Sequence, residues 1–264
     1  MKNPFLKAGR FVEELLGQGR YTFTREEAAR KLGRSRNATY MSLHRLVNAR
    51  GLAMPRSGFY VVVDAQHRAV GTLPAEWFIH EMMKDMGRPY YVGLLSAAQV
   101  HGAAHHRPQE FQVIIPERAA RPVRSGNVSI RFHGKGPFER AQTQDVKTPT
   151  GFMRVSTPET TAWDLVRYFK VAGGLDHVVT ILSELAEKID AAKLKKLVKA
   201  HGEMIVAQRL GYLLDKIGRR DLSKELADWV KDAPLRPLDP AAPFPDLESR
   251  KWRLWINANP EPEA

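Results

Sequence analysis

Residues 24–62 carry the signals of two short helices joined by a tight turn and followed by a hairpin. Thr24 and Glu27 have the spacing of a capping box, in which each side chain accepts a hydrogen bond from the other residue's backbone N–H, so a helix begins at Thr24. Gly33 suits the left-handed conformation that ends a helix, and Ser35 is a good N-cap for a second one. This order predicts a helix-turn-helix unit.

The second helix separates apolar from polar side chains. Its apolar residues at roughly helical spacing are Ala38, Met41, Leu43, Leu46 and Val47. Residues 52–63 then have the pattern of a strand, a tight turn and a strand, with Arg56 at the tip of the hairpin. Upstream, Phe5, Val12, Leu15 and Leu16 predict a first helix that covers the pair. Together these elements predict a winged helix-turn-helix.

An arginine-bearing helix beside a basic hairpin favours binding to double-stranded DNA. In the major groove, arginine can form two hydrogen bonds to guanine, and asparagine can form two to adenine. We expect Arg36, Asn37 and Tyr40 to read bases and Arg56 to enter the adjacent minor groove. The whole predicted contact set is Arg34, Ser35, Arg36, Asn37, Thr39, Tyr40, Arg45 and Arg56. The alternative is a packing module or a winged helix that binds protein.

Positive charge is concentrated in two parts of the chain. Residues 1–60 hold twelve Lys and Arg against four Glu, a net charge of +8. Residues 107–154 hold nine Lys and Arg against four acids, a net charge of +5, whereas the whole chain carries +12. Such clustering is typical of a polyanion binder.

The second basic region has two interpretations. It predicts a second basic surface, formed by Arg118, Arg121, Arg124, Arg131 and Lys135. The same charges would also suit a solvated strand edge, because Lys and Arg guard such edges against pairing with another chain. The sequence leaves both interpretations open.

Length and composition restrict the class of protein. The 264 residues suffice for two domains, and the absence of cysteine excludes disulfides and thiolate metal sites. No apolar run approaches the roughly 18 residues of a membrane span. We therefore expect a cytoplasmic regulator without a membrane segment.

The fold is predicted as α+β, with a winged helix-turn-helix domain over 1–66 and a larger mixed domain over 74–264. The larger domain is expected to contain a small sheet and a C-terminal helical portion. Helices are predicted at 74–87, 91–101, 158–169, 175–189, 191–201, 203–217 and 223–231, and strands at 111–115, 128–132 and 152–155. The proline-rich tail is expected to dock through a strand near 251–257, because leaving Trp252 and Trp255 in water is costly.

Three blocks of the C-terminal part resemble the AbiEi antitoxin family of type IV toxin–antitoxin systems. The first runs from Tyr91 to Gly102 and contains a Ser-Ala-x-x-x-His-Gly-like helix. The second is Ser156 to Leu165, a helix start similar to Ser-Pro-Glu-Arg-Thr, and the third is Gln208 to Leu214. Thr160 stands where the family often has Arg, and Trp163 where an aliphatic residue is usual.

The resemblance implies a protein with two functions. Its N-terminal domain would bind inverted repeats in its own promoter as an autorepressor. Its C-terminal domain would counter a nucleotidyltransferase toxin, without forming a stable complex with it.

Two other classes remain as alternatives. One is a ligand-responsive winged-helix repressor without an antitoxin role. The other is a DNA nuclease that uses Glu110, Glu117 and Asp145, although nuclease sites need carboxylates that converge on a metal and these acids are scattered. His101 and His105 have i,i+4 spacing but lack nearby ligands, so we expect no metal, no cofactor and no catalytic residues.

Overall fold

The computed structural model describes residues 4–104, 108–116, 120–243 and 247–262, and it has the expected α+β fold. Its helices are α1 (Pro4–Gly17), α2 (Arg25–Leu32), α3 (Arg36–Asn48), α4 (Ile79–Asp85), α5 (Leu94–Val100), α6 (Pro158–Arg167), α7 (Leu175–Leu185), α8 (Ala191–His201), α9 (Met204–Lys216) and α10 (Arg220–Val230). Its strands are β1 (Thr22–Thr24), β2 (Leu52–Arg56), β3 (Phe59–Val62), β4 (Tyr91–Val92), β5 (Phe111–Ile115), β6 (Val123–Ser125), β7 (Val128–Gly134), β8 (Thr143–Thr148), β9 (Gly151–Ser156), β10 (Arg236–Pro237), β11 (Glu248–Ser249) and β12 (Leu254–Trp255).

The N-terminal elements have the arrangement of a winged helix-turn-helix. The Thr24 hydroxyl accepts a hydrogen bond from the backbone N–H of Glu27 at 3.2 Å, as half of the capping box requires. The carboxylate of Glu27 contacts Arg20 at 2.7 Å. Gly33 ends α2 in the left-handed conformation, with φ of 62°. Strands β1, β3 and β2 form a three-stranded antiparallel sheet, which we call the wing sheet.

Both faces of the wing sheet are covered. On one face Phe23, Tyr60 and Val62 pack with Leu15 of α1 and Leu43 of α3. The opposite face carries Ala53, Phe59, Val61 and Val63, and it packs against the segment from Leu73 to Met83. Because successive residues of a strand point to opposite faces, the period of two divides the wing sheet between two hydrophobic clusters.

A six-stranded mixed sheet lies at the centre of the larger part of the chain, in the order β6-β7-β5-β4-β9-β8. One face, through Val92, Val113 and Val155, packs against α4 and the wing sheet. Tyr91 and Ile114 belong to the opposite face, which α6, α7 and α9 cover. The buried core therefore continues across the predicted boundary at residues 66–74.

Several predicted elements differ from the structure. Tyr91 and Val92 form strand β4 rather than the start of a helix, because they pair with β5 and β9 inside the central sheet. The helix predicted over 74–87 is a 3₁₀ turn at Ala75–Trp77 followed by α4. Strands β6 and β8 were not predicted, since β6 has only three residues and the mostly exposed residues of β8 lack an apolar alternation.

The tail packs onto α9. Strand β12 lies between β10 and β11, and Trp252 is buried against Gly211, where an added Cβ would lie 2.0 Å from the indole ring. The indole N–H donates to Asp215 at 2.8 Å. Glycine at 211 therefore provides the space that the docked tail occupies.

Candidate nucleic-acid interface

Helix α3 presents one polar face to the surroundings. The Ser35 hydroxyl caps it by accepting a hydrogen bond from the backbone N–H of Ala38 at 3.3 Å. Ser42 and Leu43 are buried against the other two helices. The exposed face contains four residues of the predicted contact set, Arg36, Asn37, Tyr40 and Arg45. Arg34, just before the cap, is half-buried.

The helix is rotated relative to the predicted phase. Met41 is 56% exposed and Ala38 is also exposed, although both were assigned to the apolar face. Thr39, by contrast, is completely buried. The inward face follows Thr39, Ser42, Leu43 and Leu46, of which the first three are buried. Thr39 is therefore not part of the exposed face.

Arg36 is held by an acid of the preceding helix. Its Nη2 lies 2.5 Å from Oε1 of Glu26, and its side chain is 72% exposed. The hydrogen bond from Arg36 holds the pKa of Glu26 below its usual value. Exposed ion pairs contribute little stability, so a phosphate or a base edge can displace Glu26 at small cost.

Arg25 connects α3 with the β2–β3 turn of the wing sheet. Its guanidinium carbon lies 5.4 Å from the centre of the Tyr40 ring, and its Nη2 donates to the Ser57 hydroxyl at 3.3 Å. Its backbone N–H donates to the carbonyl of Gly58 at 2.8 Å. In the sequence Arg25 is only one of the twelve basic residues of 1–60, because no local pattern reveals that α2 begins beside the β2–β3 turn.

Arg56 does not point from the wing tip into open solvent. It forms an ion pair with Asp85, the last residue of α4. Arg56 is the register partner of Phe59, whose side chain belongs to the α4 side of the wing sheet. The turn itself consists of Ser57 and Gly58. The structure therefore places Arg56 on a different face from the polar residues of α3.

Only part of the predicted second basic surface is exposed. Arg121 and Arg124 are exposed, whereas Arg131 donates two hydrogen bonds to Glu110. Lys135 is buried, so assigning it to a surface was wrong. Arg118 lies outside the described residues.

One exposed arginine of this region lies close to the winged helix. Arg124 of β6 and Arg50, which follows α3, line the same cleft of about 460 Å³. The cleft is bounded by β2 on one side and by the β6–β7 turn on the other. Tertiary packing thus brings positive charges from both basic stretches of the sequence together.

Lys135 belongs to a buried polar network beneath the central sheet. Its Nζ lies 2.6 Å from Oδ1 of Asp164 and 3.1 Å from the Tyr91 hydroxyl. The Tyr91 hydroxyl in turn donates to Oδ2 of Asp164 at 2.7 Å. Burial and the neighbouring Asp164 carboxylate raise the pKa of Tyr91. The three groups satisfy one another, so this network links β4, the end of β7 and α6.

The motif residues of the C-terminal part also form internal contacts. A ring nitrogen of His101 lies 2.8 Å from the carbonyl of Ser156, and burial lowers the pKa of His101. The Ser156 and Thr161 hydroxyls lie 2.7 Å apart. The Thr160 hydroxyl accepts a hydrogen bond from the backbone N–H of Gln142, and Trp163 is buried. These internal contacts therefore stabilise the domain.

The acids considered for a nuclease are engaged elsewhere. Glu110 pairs with Arg131, and Asp145 lies 3.4 Å from Arg154, while Glu117 is outside the described residues. Within the described ranges no group of three His, Cys, Asp or Glu residues is arranged to hold a metal ion. His105, the second histidine of the i,i+4 pair, is also outside them.

None of the helices in the described part of the chain is long and apolar enough to cross a membrane.

Comparison with known proteins identifies the C-terminal part. No curated protein matches the chain. The RV2827C protein from Mycobacterium tuberculosis has a similar fold, with a TM-score of 0.69 over 94% of this chain and 90% of that one, at 16% sequence identity. Residues 91–216 match the AbiEi antitoxin C-terminal domain, which supports an antitoxin role in a toxin–antitoxin system. This part of the chain is therefore similar to the C-terminal domain of the AbiEi antitoxins.

Proposed function

We propose that this protein is the antitoxin of a type IV toxin–antitoxin system and represses its own promoter as a cytoplasmic DNA-binding protein. The observation that carries the proposal is the exposed polar face of α3 beside the wing, in a chain with an AbiEi antitoxin domain at residues 91–216. Its toxin would be a nucleotidyltransferase, countered without a stable complex. The protein itself would act without catalysis or a cofactor.

DNA recognition would divide between base reading and phosphate binding. Arg36, Asn37 and Tyr40 are exposed on one face of α3 and would enter the major groove. Arg34, Ser35 and Arg45, at the two ends of this face, would bind phosphates. Inverted repeats would be occupied by two copies of the protein.

Beyond the winged helix, Arg50 and Arg124 would extend the phosphate contacts along the duplex. They line one cleft next to β2, so a duplex held by α3 would pass near both. Arg121 would add a further contact from the same segment. Each phosphate that is neutralised makes the slope of log binding constant against log salt concentration steeper by about 0.9.

A mobility shift with the DNA directly upstream of the gene tests the repressor half. We expect retardation that survives a scrambled competitor and weakens as salt rises. Arg36→Ala should cost roughly 1–3 kcal/mol on the operator and less on scrambled DNA, because it removes a base contact. Arg30→Ala removes one exposed charge from α2 and serves as the matched control. An Arg36→Ala defect of equal size on both duplexes would remove its base-reading role.

A growth assay tests the antitoxin half separately. The gene next to this one, which would encode the nucleotidyltransferase, is expressed alone and together with this protein. Growth should be restored by co-expression, and also by a variant whose α3 arginines are replaced, if antitoxicity resides in the C-terminal domain. Failure of the wild-type protein to restore growth would contradict the antitoxin role.

One observation favours a ligand-responsive repressor as a second candidate. A cavity of about 430 Å³ lies between the 66–74 connection and the central sheet, and its lining includes Thr72, Gln99 and Phe111. Thr72 is buried, and its hydroxyl has no hydrogen-bond partner among the described residues. Operator affinity that falls on adding a small polar metabolite would favour this candidate.

A further inference from the structure

Arg56 is directed towards α4 by the pleat of the wing sheet. Its register partner Phe59 and the Ala53–Val61 pair share the face that packs on α4. The register of β2 shifts between Ala53 and Arg56, around Pro55. Such irregularities re-aim the side chain that follows them. The guanidinium therefore lies on the α4 side of the sheet.

Asp85 receives Arg56 at a fixed position. Beneath the pair, Phe59 packs with Met82 and Met83 of α4, and all three side chains are almost completely buried. The two charged side chains keep about a third of their surface exposed, 35% for Arg56 and 28% for Asp85. The buried side chains beneath the ion pair therefore hold it in place, and the exposed part of both charged side chains remains accessible to a polyanion such as DNA.

The other charged residues around Asp85 have partners of their own. Glu81 and Lys84 border the same cleft as Asp85 and face each other across 3.9 Å. On the winged-helix side of the cleft, Arg20 contacts Glu27 at 2.7 Å. Each of these groups has its own counter-charge, so Asp85 is the acid that neutralises Arg56.

We propose that Asp85 is a positioning residue that withholds Arg56 from the DNA backbone and so limits the affinity of the winged helix for any duplex. The inference rests on the proposed DNA binding. A free wing arginine would add one sequence-independent phosphate contact. Its pairing with Asp85 leaves a larger share of the binding to the residues of α3.

The test compares Asp85→Asn with Glu81→Gln, which changes the net charge equally on the same helix. Dissociation constants are measured for the full-length variants on operator and scrambled duplexes as a function of salt. We expect Asp85→Asn to steepen the log–log salt slope by about 0.9, and to tighten binding to both duplexes about fivefold at 0.15 M salt. Glu81→Gln should change the salt slope and the affinity by less than Asp85→Asn does.

The double variant Arg56→Gln/Asp85→Asn shows whether the gain passes through Arg56. The double variant should lose the steeper salt slope of Asp85→Asn. If removing the negative charge of Asp85 acted only through the net charge of the protein, the steeper slope would persist in the double variant. Unchanged or weaker binding by Asp85→Asn would overturn the proposal. Equal binding of wild-type protein to both duplexes would contradict only the repressor function, because the slope on scrambled DNA still reports Arg56. Absence of binding to either duplex by every variant would overturn both.

Discussion

Arg36 and Lys135 come from the two basic stretches of the sequence, yet the structure gives them opposite environments. The Arg36 side chain is 72% exposed beside Glu26, whereas the Lys135 side chain is entirely buried against Asp164. A charge in water can exchange its partner with little loss, but a buried one depends on a single counter-ion. Local charge density in the sequence therefore does not separate an exposed arginine that can bind a ligand from a lysine that stabilises the core.

The largest expected effect is on the buried side of this comparison. Lys135→Met should destabilise the protein by about 3–5 kcal/mol, because it leaves the Asp164 carboxylate buried without its cation. Urea unfolding measures the change. Arg124→Met, an exposed change in the same stretch, should stay within about 0.5 kcal/mol. Equal losses for the two variants would contradict the assignment of Lys135 to the core.

Two helical glycines show the same difference between a buried and an open position. Gly211→Ala should cost about 1–3 kcal/mol, because the new Cβ would collide with the Trp252 ring. Gly9→Ala in α1 has open space around its Cβ and should stabilise by a fraction of a kcal/mol. Thermal unfolding and the Trp fluorescence of the tail report both. A neutral Gly211→Ala would mean that the tail does not pack tightly on α9.

Acid should weaken the buried region first. His201 is buried beside Trp163, and burial together with the positive charge of Lys135 lowers its pKa to about 3. In the unfolded chain His201 takes up a proton near its ordinary pKa of 6.5, so the unfolded state binds more protons below that pH. Stability is therefore present above pH 6.5 and lost as the pH falls towards 3.

Unfolding measured at a series of pH values tests this. The contribution of His201 should amount to about 1 kcal/mol between pH 6.5 and about pH 5.5. His201→Gln should have a flatter profile over that window than the wild-type protein. Parallel profiles for the two proteins would show that His201 does not titrate as proposed.

The smallest effect is expected at the exposed surface. Arg25→Ala should weaken operator binding by about 0.5–1 kcal/mol, since Tyr40 loses the cation that holds its ring beside the wing. Fluorescence anisotropy measures the affinity, and the unfolding free energy should change little. Arg30→Ala is the control on the same helix. If the two variants bind alike, Arg25 acts only through its charge.

Local patterns in the sequence predicted much of the winged helix. The caps at Thr24 and Ser35 and the end of α2 at Gly33 are where the sequence placed them. These features depend on hydrogen bonds between residues three or four positions apart, so a short stretch of sequence contains both partners of each bond. The phase of α3 was wrong at Met41 and Thr39, because burial there depends on neighbouring helices.

The candidate site was predicted less completely. The sequence left Arg36, Asn37, Tyr40 and Arg45 outside the apolar face of α3, and all four are exposed. It missed the contact of Arg25 with Ser57 and Tyr40, and it placed Arg56 at the tip of the wing. Both errors concern partners far apart in the chain, for which helical or strand periodicity gives no signal.

The α+β class, the helix caps and the clustering of positive charge follow from the sequence alone, and its motifs predicted the AbiEi antitoxin domain. Tertiary structure alone decided which charges are available. It buried Lys135 with Asp164, paired Arg56 with Asp85 and brought Arg124 beside Arg50. The physical reason is that periodicity describes one element at a time, whereas the free energy of a charge depends on the solvent and counter-ions that distant elements leave around it.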